Sequence, residues 1–175
     1  MKTLLFVPGS LRAASASRAT IRAVQADLPD DVEAIVADIG ALPHYNADVA
    51  DDPAVDEWKT QIADADGMVF VTPEYNYSLP GVLKNAIDWA SRPAFESVFR
   101  GKPCFIISVS GGALGGVRAQ SNLKYILSGM LAVPHVGKEI VIAQANAKVE
   151  DGKLVDATVL DFIREELAAF LKSLG

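Results

Sequence analysis

Residues 3–7, 67–72 and 102–110 are short runs, near-continuously apolar and rich in Leu, Ile, Val and Phe. Such runs suit strands buried on both faces, and strands of that kind belong to parallel sheets covered by helices on either side. Two further strands are predicted over 32–37 and between Val136 and Ile142. Between them apolar residues return at helical spacing: Ile21, Val24 and Leu28; then Val55, Trp58, Ile62 and Ala65. Pro80 opens a third helix, whose broad face holds Val82, Leu83, Ala86, Ile87, Trp89 and Ala90 opposite Lys84, Asn85 and Asp88; Ser91-Arg92-Pro93 ends it. Leu123, Ile126, Leu127, Met130 and Leu131 mark a fourth, and Leu160, Ile163, Leu167, Phe170, Leu171 and Leu174 a closing fifth. Residues 39–51 make an irregular connection, and Glu150-Asp151-Gly152 a turn. Five strands alternating with five helices, joined by right-handed crossovers, give an α/β fold. It is a three-layer, doubly wound domain spanning 1–175, with a five-stranded parallel sheet in the order 2-1-3-4-5.

Ligands of such sheets bind beyond the carboxyl ends of the strands, near the switch point between strands 1 and 3. Loops 9–18, 73–80 and 110–117 meet that condition, and they are the most Gly-, Ser- and Tyr-rich stretches of the chain. The first, Gly9-Ser10-Leu11-Arg12-Ala13-Ala14-Ser15-Ala16-Ser17-Arg18, carries three hydroxyls and two guanidinium groups into a helix start. Free amides and the positive end of a helix dipole already favour an anion there, and the added donors make phosphate the expected guest. The plainer alternative is a well-capped first turn, with Ser15 or Ser17 as the cap.

A phosphate pocket, an aromatic loop (Glu74-Tyr75-Asn76-Tyr77-Ser78) and a glycine-rich loop (Ser110-Gly111-Gly112) together suit a phosphorylated planar molecule, and flavin mononucleotide (FMN) fits. Gly111 and Gly112 let backbone lie close to a flat ring, and oriented N–H groups stabilise charge that builds on a reduced flavin. Tyr75 and Tyr77 offer flat amphipathic surfaces to the ring or, alternatively, to an interface. Glu74 either accepts backbone donors or stands in solvent. Arg118 either pairs across an interface, meets an anionic substrate or is solvated.

Sixteen basic against 22 acidic residues give a net charge of −6, and an acidic chain without a basic patch is a poor nucleic-acid binder. No apolar run approaches the roughly 20 residues that span a bilayer, and no signal-peptide pattern opens the chain. Cytoplasmic residence is expected. Cys104, alone and inside an apolar run, reads as a packing residue. His44 and His135 lack metal-ligand spacing.

Gly9-Ser10-Leu11-Arg12 with Ser15 and Ser17, and then Pro73-Glu74-Tyr75-Asn76-Tyr77-Ser78-Leu79-Pro80-Gly81-Val82-Leu83-Lys84-Asn85-Ala86-Ile87-Asp88-Trp89, resemble the NADPH-dependent FMN reductase family, whose members include flavodoxin-like quinone, chromate and azo-dye reductases. Gly101-Lys102-Pro103, Ser108-Val109-Ser110-Gly111-Gly112 and Gly115-Gly116-Val117-Arg118 continue the likeness. The resemblance implies FMN as cofactor, NADPH or NADH as co-substrate, a small-molecule electron acceptor, and a homodimer or homotetramer with FMN near the subunit interface. It implies phosphate contacts at Ser10, Arg12, Ser15, Ala16 and Ser17. Isoalloxazine and ribityl contacts are implied at Pro73, Glu74, Tyr75, Asn76 and Tyr77, and at Ser110, Gly111 and Gly112. Loops 39–52 and 91–101 match no motif.

The expected activity is therefore two-step hydride transfer, nicotinamide to flavin to acceptor, with no catalytic side chain required. The rival is a flavodoxin-type electron carrier without NAD(P)H activity. Carriers present a strongly acidic docking face, whereas Arg12, Arg18, Arg92 and Arg118 lie in or beside the site loops here. A serine hydrolase would need a Gly-x-Ser-x-Gly elbow, but Ser108 stands two places before Ser110. A response regulator would need an acidic cluster where Pro8-Gly9-Ser10 lies.

Overall fold

A computed structural model describes residues 1–49 and 51–175; Ala50, inside the expected 39–51 connection, lies outside the described residues. Strands β1 (Lys2–Pro8), β2 (Val32–Val36), β3 (Gly67–Pro73) and β4 (Pro103–Val109) pair in parallel in the order β2-β1-β3-β4. The far edge of β4 carries two short parallel pieces, β5 (Val133–Pro134) and β6 (Ile140–Ile142), which completes the expected 2-1-3-4-5 order. Helices α1 (Ala16–Ala26), α2 (Pro53–Asp64), α3 (Gly81–Ala90), α4 (Val117–Gly129) and α5 (Ala157–Ser173) connect and cover the sheet.

The period-two alternation of the strands sorts their side chains into two cores. Leu5, Val7, Met68, Phe70, Cys104 and Ile106 face a layer built by α2, α3 and α4, where Trp58, Leu83, Ile87 and Leu123 are buried. Leu4, Phe6, Val69, Val71, Phe105 and Ile107 face α1 and α5, against Ile21, Val24, Ile163, Leu167 and Phe170. Both faces of the central strands are dry, which explains runs with no polar alternation.

The expected fifth strand is corrected in one respect. Instead of one run between Val136 and Ile142, the edge pairs at Val133–Pro134, and the His135 N–H still donates to the Cys104 carbonyl at 2.7 Å; residues 136–139 then leave the ladder, which resumes at Ile140. Val133 and His135 donate their N–H groups to the Lys102 and Cys104 carbonyls, so Pro134 between them needs no donor toward β4, an edge position that proline tolerates. The His135 ring turns inward between Phe105 and Phe170, with centroids 5.8 and 5.5 Å away, while the buried Glu166 carboxylate accepts the Lys138 N–H at 3.0 Å. Packing thus competes successfully with the ladder over that stretch. The turn at Glu150-Asp151-Gly152 joins a hairpin, β7 (Val149–Glu150) with β8 (Lys153–Leu154), that the sequence pattern does not announce. Arg22 fastens it to α1 by donating Nε to the Gly152 carbonyl at 2.7 Å.

Gly9 positions the first loop. Its N–H donates to the Val71 carbonyl at 2.8 Å, and a Cβ there would lie 2.8 Å from the Thr72 Cα and 2.6 Å from its hydroxyl. Gly9→Ala should therefore overpack the β1–β3 seam and destabilise the fold by about 1–3 kcal/mol; a urea midpoint unchanged from wild type would contradict this.

Cys104 is fully buried, as expected of a packing residue. Burial pushes its thiol up from 9.0 to about 12, against the opposing charge of Lys102. In the folded chain it should resist iodoacetamide at pH 8 and react fully in urea. Because the folded value is the higher one, this group's contribution to stability is intact below pH 9 and is lost as the pH climbs toward 12.

Candidate functional site

The three polar loops emerge at the carboxyl ends of β1, β3 and β4 and wall one cleft. Ten of the thirteen residues expected there line it: Ser10, Arg12, Ser15, Ala16, Ser17, Pro73, Glu74, Tyr75, Ser110 and Gly111. Asn76, Tyr77 and Gly112 lie in the same loops but outside that wall. Val109 and Asn146 complete the lining.

The β1–α1 loop uses its hydroxyls in two ways. Ser15 is the N-cap of α1: its Oγ accepts the Arg18 N–H at 3.2 Å and the Ser17 hydroxyl at 3.1 Å. Capping is therefore real, yet it leaves the Ala16 and Ser17 amides of the first turn without a partner among the described residues. Ser10 is buried, and its hydroxyl stands 3.3 Å from the Tyr75 hydroxyl, linking the first loop to the second. Arg18 turns back to donate Nε to the Ser10 carbonyl at 3.3 Å, so it shapes the loop, while Arg12 is exposed in the cleft wall. Two hydroxyls, two amides and a guanidinium facing one space form an anion cradle.

The β3–α3 loop is a tight turn. Tyr75 N–H donates to the Ser78 carbonyl at 2.9 Å and Ser78 N–H to the Tyr75 carbonyl at 3.1 Å, with Asn76 (φ 49°) and Tyr77 (φ 68°) at the corners. Left-handed backbone is ordinary for Asn and strained for Tyr, and such strain persists only where neighbours enforce it. Here Asn122 Nδ2 donates to the Tyr77 carbonyl at 3.3 Å and to the Ser78 hydroxyl at 3.1 Å. The Arg118 guanidinium sits 4.5 Å over the Tyr77 ring. Glu74, whose side chain is 13% exposed, accepts the Arg118 N–H at 3.0 Å, the Ala119 N–H at 3.4 Å and Arg118 Nη1 at 3.1 Å. The two open questions about Glu74 and Arg118 share this answer within the chain: each is the other's partner.

The third loop is fixed by its own hydroxyl and by the segment beyond β6. Ser110 Oγ accepts the Gly112 N–H at 3.1 Å, and the Ser110 and Gly112 carbonyls accept the Ala145 and Gln144 amides. This tie brings Asn146 to the cleft, its Nδ2 only 2.8 Å from where a Cβ of Gly111 would stand. A side chain at 111 would press on the Asn146 amide and oblige it to shift. No local motif marks Asn146, because pairing with a distant loop sets its place.

Asn85, expected on the polar face of α3, is half-buried and organises the unmatched 39–52 loop. It accepts the Tyr45 N–H at 2.7 Å and donates to the Pro43 carbonyl at 2.9 Å. Trp89 Nε1 donates to the same carbonyl at 2.8 Å, consistent with its expected core role.

With this geometry established, comparison with known proteins is informative. Residues 1–147 match the model of the NADPH-dependent FMN reductase family. An NAD(P)H-dependent FMN reductase of Pseudomonas aeruginosa is 41% identical over 170 residues, covering 95% of this chain and 91% of that protein. A 2-hydroxy-1,4-benzoquinone reductase of a Burkholderia species is 42% identical over 161 residues, 90% of this chain and 88% of its own. The solved structure of the flavoenzyme NAD(P)H:(acceptor) oxidoreductase FerB from Paracoccus denitrificans superposes with a TM-score of 0.89 at 36% identity, covering 99% of this chain and 97% of that one. Sequence and three-dimensional likeness extend over nearly the same residues as the fold that carries the cleft, and on that footing the chain belongs to the NADPH-dependent FMN reductase family.

Proposed function

We propose that the cleft walled by loops 9–18, 73–80 and 110–112 holds FMN, and that the chain uses it to pass electrons from NADPH or NADH to a quinone or a similar acceptor such as chromate, an azo compound or free flavin. The observation that carries this is the anion cradle at the α1 N-terminus facing a rigid aromatic turn across a single cleft. The residues fit the group. Ser10, Arg12, Ser15, Ala16 and Ser17 supply hydroxyls, amides and positive charge for a terminal phosphate. Pro73 to Tyr77, with Ser110, Gly111 and Gly112, offer a flat aromatic and backbone surface for the ribityl chain and ring.

Bound FMN supplies the redox chemistry, in which NAD(P)H, a proton and a quinone become NAD(P)+ and a quinol. The chain's own task is to bind and orient. Arg12 and the first-turn amides of α1 offset the charge of the phosphate. The Ser10–Tyr75 contact keeps that end in register with the aromatic turn. Asn122, Arg118 and Glu74 hold the turn rigid, so little order remains to be gained on binding. Donor and acceptor use the open side of the cleft in turn, which gives ping-pong kinetics.

We propose further that the 175 residues act as one domain, in the cytoplasm, and assemble as a homodimer or homotetramer. Exposed aromatic groups at Tyr77 and Tyr125 support assembly. Among the described residues, no helix is long and apolar enough to cross a membrane.

Purified protein offered FMN should take it up, and the flavin absorbance should fade with NADPH or NADH and return with a quinone. No uptake would overturn the FMN assignment; uptake without fading would favour an electron carrier. Replacing Ser10 and Arg12 together with Ala should weaken FMN binding about 10- to 100-fold, the loss expected for hydrogen bonds to a charged group. An unchanged dissociation constant in a fluorescence titration would contradict the phosphate placement.

A further inference from the structure

Helix α4 begins just beyond the third loop without a side-chain cap of its own. Its N-cap is Gly116, at φ 85°, which has no side chain to accept the first-turn amides. Glu74, from a loop 44 residues earlier, supplies the acceptor: one oxygen takes the Arg118 and Ala119 N–H groups and the other takes Arg118 Nη1. Glu74 is also one of the residues that line the cleft. One negative group thus meets two positive sources at that wall, the dipole end of α4 and the Arg118 guanidinium. The pair is partly shielded from water, with Glu74 13% and Arg118 43% exposed, so its charge is less screened than a surface pair.

We propose that Glu74 is a positioning residue that sets the electrostatic potential of the cleft wall, and through it the reduction potential of the flavin; this rests on the assignment of FMN to the cleft. Bound FMN would accept a hydride, two electrons and a proton, from NAD(P)H with release of NAD(P)+, and the reduced ring would carry the added negative charge. A wall made more positive favours that reduced state, and a wall made more negative opposes it. Glu74 offsets Arg118 and the α4 end, so that neither acts unopposed on the ring.

The test is redox titration of the FMN-loaded protein against dyes of known potential, with wild type, Glu74→Gln, Arg118→Gln and the double variant. Glu74→Gln should raise the midpoint potential, shifting the reduced-to-oxidised ratio up to about tenfold at a fixed solution potential, equivalent to about 30 mV for a two-electron couple. Arg118→Gln retains the backbone contacts of Glu74 and should shift the ratio the opposite way by a similar factor. The double variant should return close to wild type. A purely structural cap would lower the Tm of the flavin-free protein and leave the potential in place. Equal potentials in all four proteins would overturn the proposal, whatever their Tm. Should Glu74→Gln not fold, Arg118→Gln decides alone: a fall in potential supports the proposal, and no change overturns it. Failure of the wild type to take up FMN would overturn the underlying assignment as well, an outcome distinct from normal uptake with unchanged potentials.

Discussion

A parallel sheet buried on both faces can present polar chemistry only at its ends. Leu4 to Val7, Met68 to Val71 and Cys104 to Ile107 are enclosed by helices on either side, and a polar side chain placed among them would need a buried partner. Hydroxyls, guanidinium groups and flexible backbone therefore gather where the strands run out. Because β1, β3 and β4 are parallel and adjacent, their carboxyl ends open on one rim, and three loops far apart in sequence become one cleft. Dry packing of the middle and wet chemistry at the edge are two consequences of the same burial.

Most of this architecture was legible in the sequence because burial leaves a one-dimensional trace. Continuous apolar runs gave the strands, helical spacing gave the five helices, and the expected topology together with composition singled out the three loops. The edge was harder. The last strand is interrupted beyond His135, where that ring packs between Phe105 and Phe170 and the Lys138 N–H turns to Glu166, partners that lie far away in the chain. Cross-chain placement of this kind has no local signature. The β7–β8 hairpin, the inward turn of Asn85 and the arrival of Asn146 escaped sequence reasoning for the same reason.

Within the site, residue types were legible and their division of labour was not. Ser15 and Arg18 both belong to the phosphate-like motif, yet Ser15 caps α1 and Arg18 bonds to the Ser10 carbonyl. They shape the loop around the groups that face the cleft. Tyr77, with its left-handed backbone, is an aromatic residue in a position that suits glycine or asparagine better. The strain is offset by contacts from Asn122 and Arg118 on α4, so the turn and that helix form one rigid unit.

Helix α1 begins at this cleft and α4 begins behind Glu74 in its wall, and each brings the positive end of a dipole. Left alike, they would offer an anion two competing places. The chain distinguishes them chemically. At α1 the cap is a neutral serine, the next amides have no partner among the described residues, and Arg12 adds positive charge. At α4 the cap is the carboxylate of Glu74, which occupies the first-turn amides and pairs with Arg118. A phosphate in the proposed site would therefore meet attraction at α1, whereas the α4 start behind Glu74 is already filled and charge-balanced. On the proposed reading, a molecule with a phosphate at one end and a planar ring at the other would enter with its anion at α1 and its ring beside the braced turn.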